Sequence, residues 1–285
     1  MIAFLGLSPA WQQVYRVAEL SPGAVHRATA TAAFASGKAT NAAIQARRHR
    51  ADVALATVAG GHVGSLFEGD LLSRRLRLIL ARGSQTRVCT TVIAAGGATE
   101  LIEENGVQSP AVADELLRGI RGLNASVVCG CGSIPSGAGD EVYARLIHSA
   151  GSAASVIDAS GRPLRLACEA GATLVKPNRA ELAATVGREL RTAADVEKAA
   201  ARLRTWGTEW VLVTDGPNDA LLLGETAEWI APPAVEVVSP IGAGDALCGR
   251  LAAALADGVD VPVAARLGLQ AAADHCRRDP FAPTS

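Results

Sequence analysis

The chain has 285 residues, 49% of them hydrophobic, and a formal net charge of −1. Such a length and apolar content suffice for one large core, or for a large domain with a small appendage. The near-neutral balance gives no reason to expect a nucleic acid or an anionic membrane as partner. The opening run from Met1 to Leu7 is apolar but lacks a basic flank, and it ends at Ser8-Pro9, too soon for a signal peptide or a membrane span. It predicts a first strand in a cytoplasmic protein. Six cysteines, Cys89, Cys129, Cys131, Cys168, Cys248 and Cys276, are scattered through mostly apolar contexts, as suits reduced thiols. Cys129 and Cys131 would face the same way on a strand; without a second pair at zinc-finger spacing they predict buried packing rather than metal or redox work.

After the first strand, two β-like runs, Val14 to Leu20 and Val25 to Thr31, flank the turn Ser21-Pro22-Gly23 and predict an early hairpin. Ser36-Gly37-Lys38 then opens a helix from Ala42 to Arg48, where glycine and lysine make a possible anion cradle. The order of residues rules out a Walker A loop. A strand from Val53 to Val58, punctuation by Gly60, Gly61 and Gly64, and a helix from Ser65 to Arg75 follow. A second hairpin pairs Arg87 to Ala95 with Ala98 to Glu103 across Gly96-Gly97. These four short segments are expected to be antiparallel and to stand apart from the rest.

From Ala111 onward helix and strand alternate: helix to Ile120, strand Ser126 to Cys129, helix Glu141 to Ala150, strands Ser155 to Ile157 and Thr173 to Val175, helices Ala180 to Val186 and Ala193 to Trp206. A strand from Trp210 to Thr214, a hairpin through Asp219 and two long Ala- and Leu-rich helices after Gly242 and Val261 complete the pattern, before a polar tail from Arg277 to Ser285. Alternation of this kind predicts an α/β fold with a parallel sheet between helices, and ligands at the carboxyl ends of its strands.

The stretch richest in chemistry is Gly242-Ala243-Gly244-Asp245, which runs straight into an apolar helix. Glycines allow a ligand close to the backbone, and a helix start aims unpaired N–H groups and a positive dipole end at it. Asp245 then sets a carboxylate in the first turn, able to take a proton from a hydroxyl while the amides steady a phosphoryl group. The tetrapeptide alone is equally explained as an ordinary helix start.

Taken together, Gly242 to Asp245, Gly37-Lys38 with Asn41, and Lys176-Pro177-Asn178-Arg179-Ala180-Glu181 make the chain resemble a PfkB-type carbohydrate kinase of the ribokinase superfamily. Within that superfamily it is similar to the branch of 1-phosphofructokinases and tagatose-6-phosphate kinases, in an order of motifs that extends from Met1 to about Gly258. The resemblance implies a single domain over 1–285, with a three-layer α/β/α architecture, a mostly parallel central sheet and a small β lid from segments within about 12–34 and 86–104. It also implies ATP and Mg²⁺ as cofactors, a sugar or sugar phosphate as substrate, and a homodimer formed through the lid.

Residue by residue, the resemblance implies Asp245 as the catalytic base, with Gly242, Ala243 and Gly244 as the anion hole. Gln12, Gly37, Lys38, Asn41, Arg87 and Ser133 fall at substrate-binding positions. Lys176, Asn178, Thr214 and Gly216, with Gly242 and Gly244, fall at nucleotide-binding ones. Asn178 and Glu181 match the family's Asn-x-x-Glu, which organises Mg²⁺ through water; on spacing alone the same pair reads as a helix capping box. Four departures stand out. The acidic residue expected to grip sugar hydroxyls is Gln12, Ser36 and Ala39 replace the glycines on either side of Gly37-Lys38, Pro240 replaces a threonine, and Gly216-Pro217-Asn218-Asp219 lacks a second glycine. An amide at position 12 can donate as well as accept, so weak activity on fructose 1-phosphate and tagatose 6-phosphate is expected. A catalytically silent sensor of a sugar phosphate or nucleotide on the same fold is the alternative. A dinucleotide-binding dehydrogenase is disfavoured because no Gly-x-Gly-x-x-Gly follows the first strand.

Overall fold

The computed structural model describes residues 1–50, 52–279 and 281. Strand β1 (Ile2–Gly6) is buried on both faces: Ile2 and Phe4 join one core cluster, Ala3 and Leu5 the other. That double burial is why the run reads as continuously apolar rather than alternating. β1 pairs in parallel with β4 (Val53–Ala59) and β8 (Val127–Cys131), and the sheet grows outward through β5 (Arg77–Arg82) on one side. On the other side come β9 (Ala154–Asp158), β10 (Leu174–Val175) and β11 (Trp210–Asp215), all parallel, then β12 (Asn218–Leu223) and β13 (Ala227–Ile230), antiparallel. The order is β13-β12-β11-β10-β9-β8-β1-β4-β5.

Helices α1 (Lys38–Arg47), α2 (Gly61–Ser73), α8 (Ala243–Ala256) and α9 (Val261–Cys276) supply the core cluster on one face of this sheet. The opposite face is covered by α3 (Pro110–Arg121), α4 (Val142–Ser149), α5 (Gly161–Glu169), α6 (Arg179–Val186) and α7 (Ala193–Thr205). The result is the expected three-layer α/β/α arrangement. Five of the six cysteines are buried and all six are free, with Cys129 and Cys131 turned into the same core cluster. No helix among the described residues is long and apolar enough to cross a membrane.

A second, four-stranded sheet has the order β3-β2-β6-β7, with β2 (Ala10–Arg16), β3 (Ala30–Ser36), β6 (Arg87–Ala94) and β7 (Gly97–Ile102). Here the early hairpin is corrected. Its strands are shifted away from the expected turn and overlap the runs Val14 to Leu20 and Val25 to Thr31 only at 14–16 and 30–31, and residues 17–29 form an excursion rather than a tight turn. Burial decides it: Ala10, Gln12 and Val14 alternate inward on β2, whereas Val25 is exposed. The expectation of four antiparallel segments is corrected too, because the central pair β2–β6 is parallel. Parallel neighbours need a long crossover, and 70 residues, 17–86, which include β3 of the small sheet and then α1, β4, α2 and β5 of the main one, separate these two strands.

Strands β5 and β13 and helix α5 were not anticipated. β5 carries an arginine at each end, and α5 has Pro163 in its first turn, where proline is tolerated but interrupts a helical reading of the sequence. The polar tail from Arg277 to Ser285 lies partly outside the described residues.

Helix α8 is buried around most of its circumference and packs between α9 and α1. Contact with α1 centres on Gly249, where an added Cβ would collide with the Ala42 carbonyl and lie 2.9 Å from Ala46 N. Gly249→Ala gains about 1 kcal/mol of helix propensity but forces two backbones apart, a cost of about 1–3 kcal/mol or more. The expected outcome is a melting temperature lowered by several degrees; an unchanged or raised value would show that α1 and α8 part freely.

Candidate active site

The start of α8 is prepared by Gly242, whose φ of 85° lies in the left-handed region that favours glycine. From there the Ala243 N–H donates back to the Pro240 carbonyl at 3.2 Å, while the Gly244 and Asp245 N–H groups have no acceptor among the described residues. The two open amides and the helix dipole make this end attractive to an anion. His275 near the end of α9 donates from Nε2 to the Ile241 carbonyl at 2.8 Å and so fixes the approach to the turn.

Asp245 is buried, and its Oδ2 accepts from Asn41 Nδ2 at 2.7 Å. Asn41 lies one turn into α1, so the α1–α8 contact brings the two together. Burial pushes the Asp245 carboxyl up to about 7, and the charge of Asp158 adds to the rise; the Asn41 hydrogen bond and the Lys38 and Lys176 ammonium groups oppose it. A carboxylate held near neutrality exchanges a proton with a hydroxyl more readily than an ordinary aspartate does.

Below this carboxylate lies a buried charge cluster. Asp158, at the end of β9, is 1% exposed and sits between Lys38 Nζ at 2.8 Å and Lys176 Nζ at 2.9 Å. Burial alone would raise the Asp158 carboxyl, but the two ammonium groups outweigh it and hold the group below the usual carboxylate range. Burial likewise works against the charge on Lys38, yet Asp158 and Glu181 together hold it well above lysine's ordinary value. Lys176 reaches the underside of the α8 turn, its Nζ 3.7 Å from where a Gly244 Cβ would be.

Asp158 was missed by the sequence reading. Its signal was a lone carboxylate closing an apolar strand, at the carboxyl edge where parallel sheets bind ligands.

The other expected site residues divide between two cavities and their margins. A small one of about 180 Å³ is lined by Ser8, Lys38, Arg87, Ser133, Ser160 and Glu181, among others. In it the Ser8 hydroxyl donates to the Ser133 carbonyl at 2.6 Å, and the Arg87 Nε is buried without a partner, an orphaned donor beside the cavity. Gln12 and Asn41 line a larger cavity of about 610 Å³ under the small sheet, with Ser36 and Gly242. Gln12 donates from Nε2 to the Thr91 hydroxyl at 2.9 Å, which leaves its amide oxygen free among the described residues. Gly37 caps the start of α1. Asn178 and Glu181 form a complete capping box on α6, and the Glu181 carboxylate also accepts from Lys38. Thr214 lies beside Asn178 through an isolated parallel bridge, and Gly216 turns the chain between β11 and β12; neither lines a cavity described above.

Residues 2–278 match the pfkB family carbohydrate kinase. The chain belongs to that family. It is 35% identical to the 1-phosphofructokinase of Haloferax volcanii over 253 residues, covering 88% of this chain and 82% of that one. To the 1-phosphofructokinase of Rhodobacter capsulatus it is 33% identical over 275 residues, covering 93% and 87%. Among solved structures, phosphofructokinase-2 from Escherichia coli in complex with fructose-6-phosphate superposes with a TM-score of 0.87 at 26% identity, covering 96% of this chain and 93% of that one. These likenesses support the 1-phosphofructokinase branch of the ribokinase superfamily and make the protein a carbohydrate kinase.

The raised Asp245 pKa has a consequence for stability. An aspartate that titrates near 4 unfolded and about 7 folded binds more protons in the folded chain between those values, so its contribution to stability falls as pH rises through that window. Asp245→Asn removes the burden. Its melting temperature without ligands should exceed the parent's by about 3 °C or more at about pH 8, and the gap should close by about pH 4. Equal melting of both proteins at about pH 8 would contradict a burial-driven shift.

Proposed function

We propose that this carbohydrate kinase transfers the γ-phosphoryl group of ATP to a hydroxyl of a phosphorylated sugar, with Asp245 as base. The observation that carries the reading is the buried Asp245 carboxylate, held by Asn41 at 2.7 Å and raised to about 7, directly beside the open amides of Gly244 and Asp245. Asp245 takes the proton of the acceptor hydroxyl, and the open amides steady the charge that develops on the transferred group. Most of the rate then comes from positioning and charge neutralisation, which phosphoryl transfer chiefly needs.

The residues present fit both cofactors. Open amides over a buried ammonium, Lys176, suit the phosphates of a nucleotide, with Thr214 and Gly216 on the adjoining loop. Among the described residues no cluster of three or more acidic, histidine or cysteine side chains could cage a metal by itself. Magnesium retains several waters and uses few protein oxygens, so Asn178 and Glu181 fit it through water. Bound there, nucleotide and metal supply the phosphoryl group and offset its charge. Lys38, Arg87 and Ser133 suit the substrate's own phosphate, since the unpartnered Arg87 Nε gains a hydrogen bond when an anion enters. Gln12, Gly37 and Asn41 face the sugar. The small sheet serves as a lid, and its fully exposed edge strand β7 supports a homodimer through the lid, because a free edge invites pairing.

ATP turnover with a panel of hexose and pentose phosphates tests the reading. Transfer is expected on at least one phosphorylated sugar, weakly on fructose 1-phosphate, and Asp245→Asn should lower it by about 10²–10⁴-fold. Glu181→Gln should raise the Mg²⁺ concentration for half-maximal rate several-fold; an unchanged metal curve removes Glu181 from that role. No turnover with any sugar phosphate would leave a sensor in place of an enzyme. Sedimentation at micromolar concentration should give a dimer, and a monomer would dismiss the paired lid.

A further inference from the structure

The large cavity extends beyond what a sugar held at Gln12, Ser36 and Asn41 would occupy. Its volume of about 610 Å³ lies within the range of small-molecule sites, about 300–1,000 Å³. Gln45 follows Asn41 by four residues on α1, so it lies on the same helix face one turn further from the base. It lines the cavity and is 7% exposed, and its amide has no hydrogen-bond partner among the described residues. Ser239, also 7% exposed and lining the cavity, has a hydroxyl in the same condition. Both residues are mostly buried, yet their polar atoms remain accessible, since the buried side-chain atom left without a partner among the described residues is Arg87 Nε; a ligand in the cavity can therefore reach them. The walls beside them are apolar, with Phe34, Ile44 and Ile93.

An occupant that replaces water at Gln45 and Ser239 keeps their hydrogen bonds only if it offers both a donor and an acceptor, and it gains further by presenting apolar surface to the walls. A hydroxyl satisfies the first condition only, and an alkyl group the second only. An acylamido group meets both, with its N–H and C=O toward the amide and hydroxyl and its alkyl end against the walls. Of the charged residues in the lining, Arg74 is paired with Asp70 and Asp279 with Arg16, while the exposed Arg48 and Arg278 favour an anionic ligand. We propose that the cavity is a second compartment of the acceptor site, built for an acylamido substituent on a sugar phosphate, with Gln45 and Ser239 as the residues that select it. The proposal deepens the kinase reading, and for turnover it rests on that reading. Its binding component does not.

The test titrates the intact protein calorimetrically with N-acetylglucosamine 6-phosphate, glucosamine 6-phosphate, fructose 6-phosphate and fructose 1-phosphate, with ATP turnover measured in parallel. The acetylated sugar phosphate should bind about tenfold or more tightly than each of the others. In Gln45→Leu, and separately in Ser239→Ala, that ratio should fall toward one, with melting curves confirming that each variant is folded. Equal binding of acetylated and plain sugar phosphates by the parent overturns the proposal, as does an undiminished preference in both folded variants. Selective binding without any turnover instead overturns the kinase reading and leaves the compartment standing.

Discussion

Asp158 holds this active site together. Removing a carboxylate from water costs several kcal/mol, and a buried charge left without its partner is strongly destabilising, so Lys38 and Lys176 must both arrive at it. Their arrival joins the start of α1, the end of β9 and the segment after β10 at one point on the carboxyl edge of the sheet. Glu181 extends the cluster to the start of α6 through its own contact with Lys38. The same negative charge pushes up the pKa of Asp245, so the group that organises the framework also tunes the proposed base.

Dry surroundings complete that tuning. Helix α8 is sandwiched between α1 and α9, and only its first turn meets the cavity. Close below Asp245 the chain packs thiols: Cys131 Sγ and Cys248 Sγ are 3.7 Å apart. Burial pushes the Cys129 thiol up, and for Cys131 the contact with Cys248 and burial act in the same sense, so both remain neutral filling. Burial raises the proton affinity of a carboxylate at some expense in stability, a conflict between fold and chemistry that belongs at functional sites.

The small sheet changes the character of the acceptor side. Its inner face brings Gln12, Val14, Phe34, Thr91 and Ile93 over α1, and the hydrogen bond from Gln12 to Thr91 orients the amide so that its oxygen is left for a ligand. The residues proposed to face the substrate thereby separate into a cavity around Lys38 and Arg87 and a larger one around Gln12 and Asn41. The second has an apolar wall of Val14, Phe34, Ile44 and Ile93, with Arg48, Arg74, Arg278 and Asp279 also in its lining, so shape and charge both bear on recognition there.

Local patterns are what the sequence by itself determined. Apolar runs separated by glycine-led helix starts are short-range features, so the parallel sheet, its two helical layers and the α8 turn with Asp245 were legible, as were the capping residues Asn178 and Glu181. The motif order identified the family for the same reason. Pairing partners were not legible, because β2 meets β6 across 70 intervening residues and nothing local marks their parallel register. Asp158 read as a strand end, and Gln45 as one polar residue on a small-residue helix. Only the tertiary structure decided that Asp158 carries two lysines, that Asn41 reaches Asp245 204 residues away, and that Gln45 faces a cavity unpaired. Burial and charge partnership are properties of what the chain brings together, and they set both the proton affinity of Asp245 and the shape of the cavities around it.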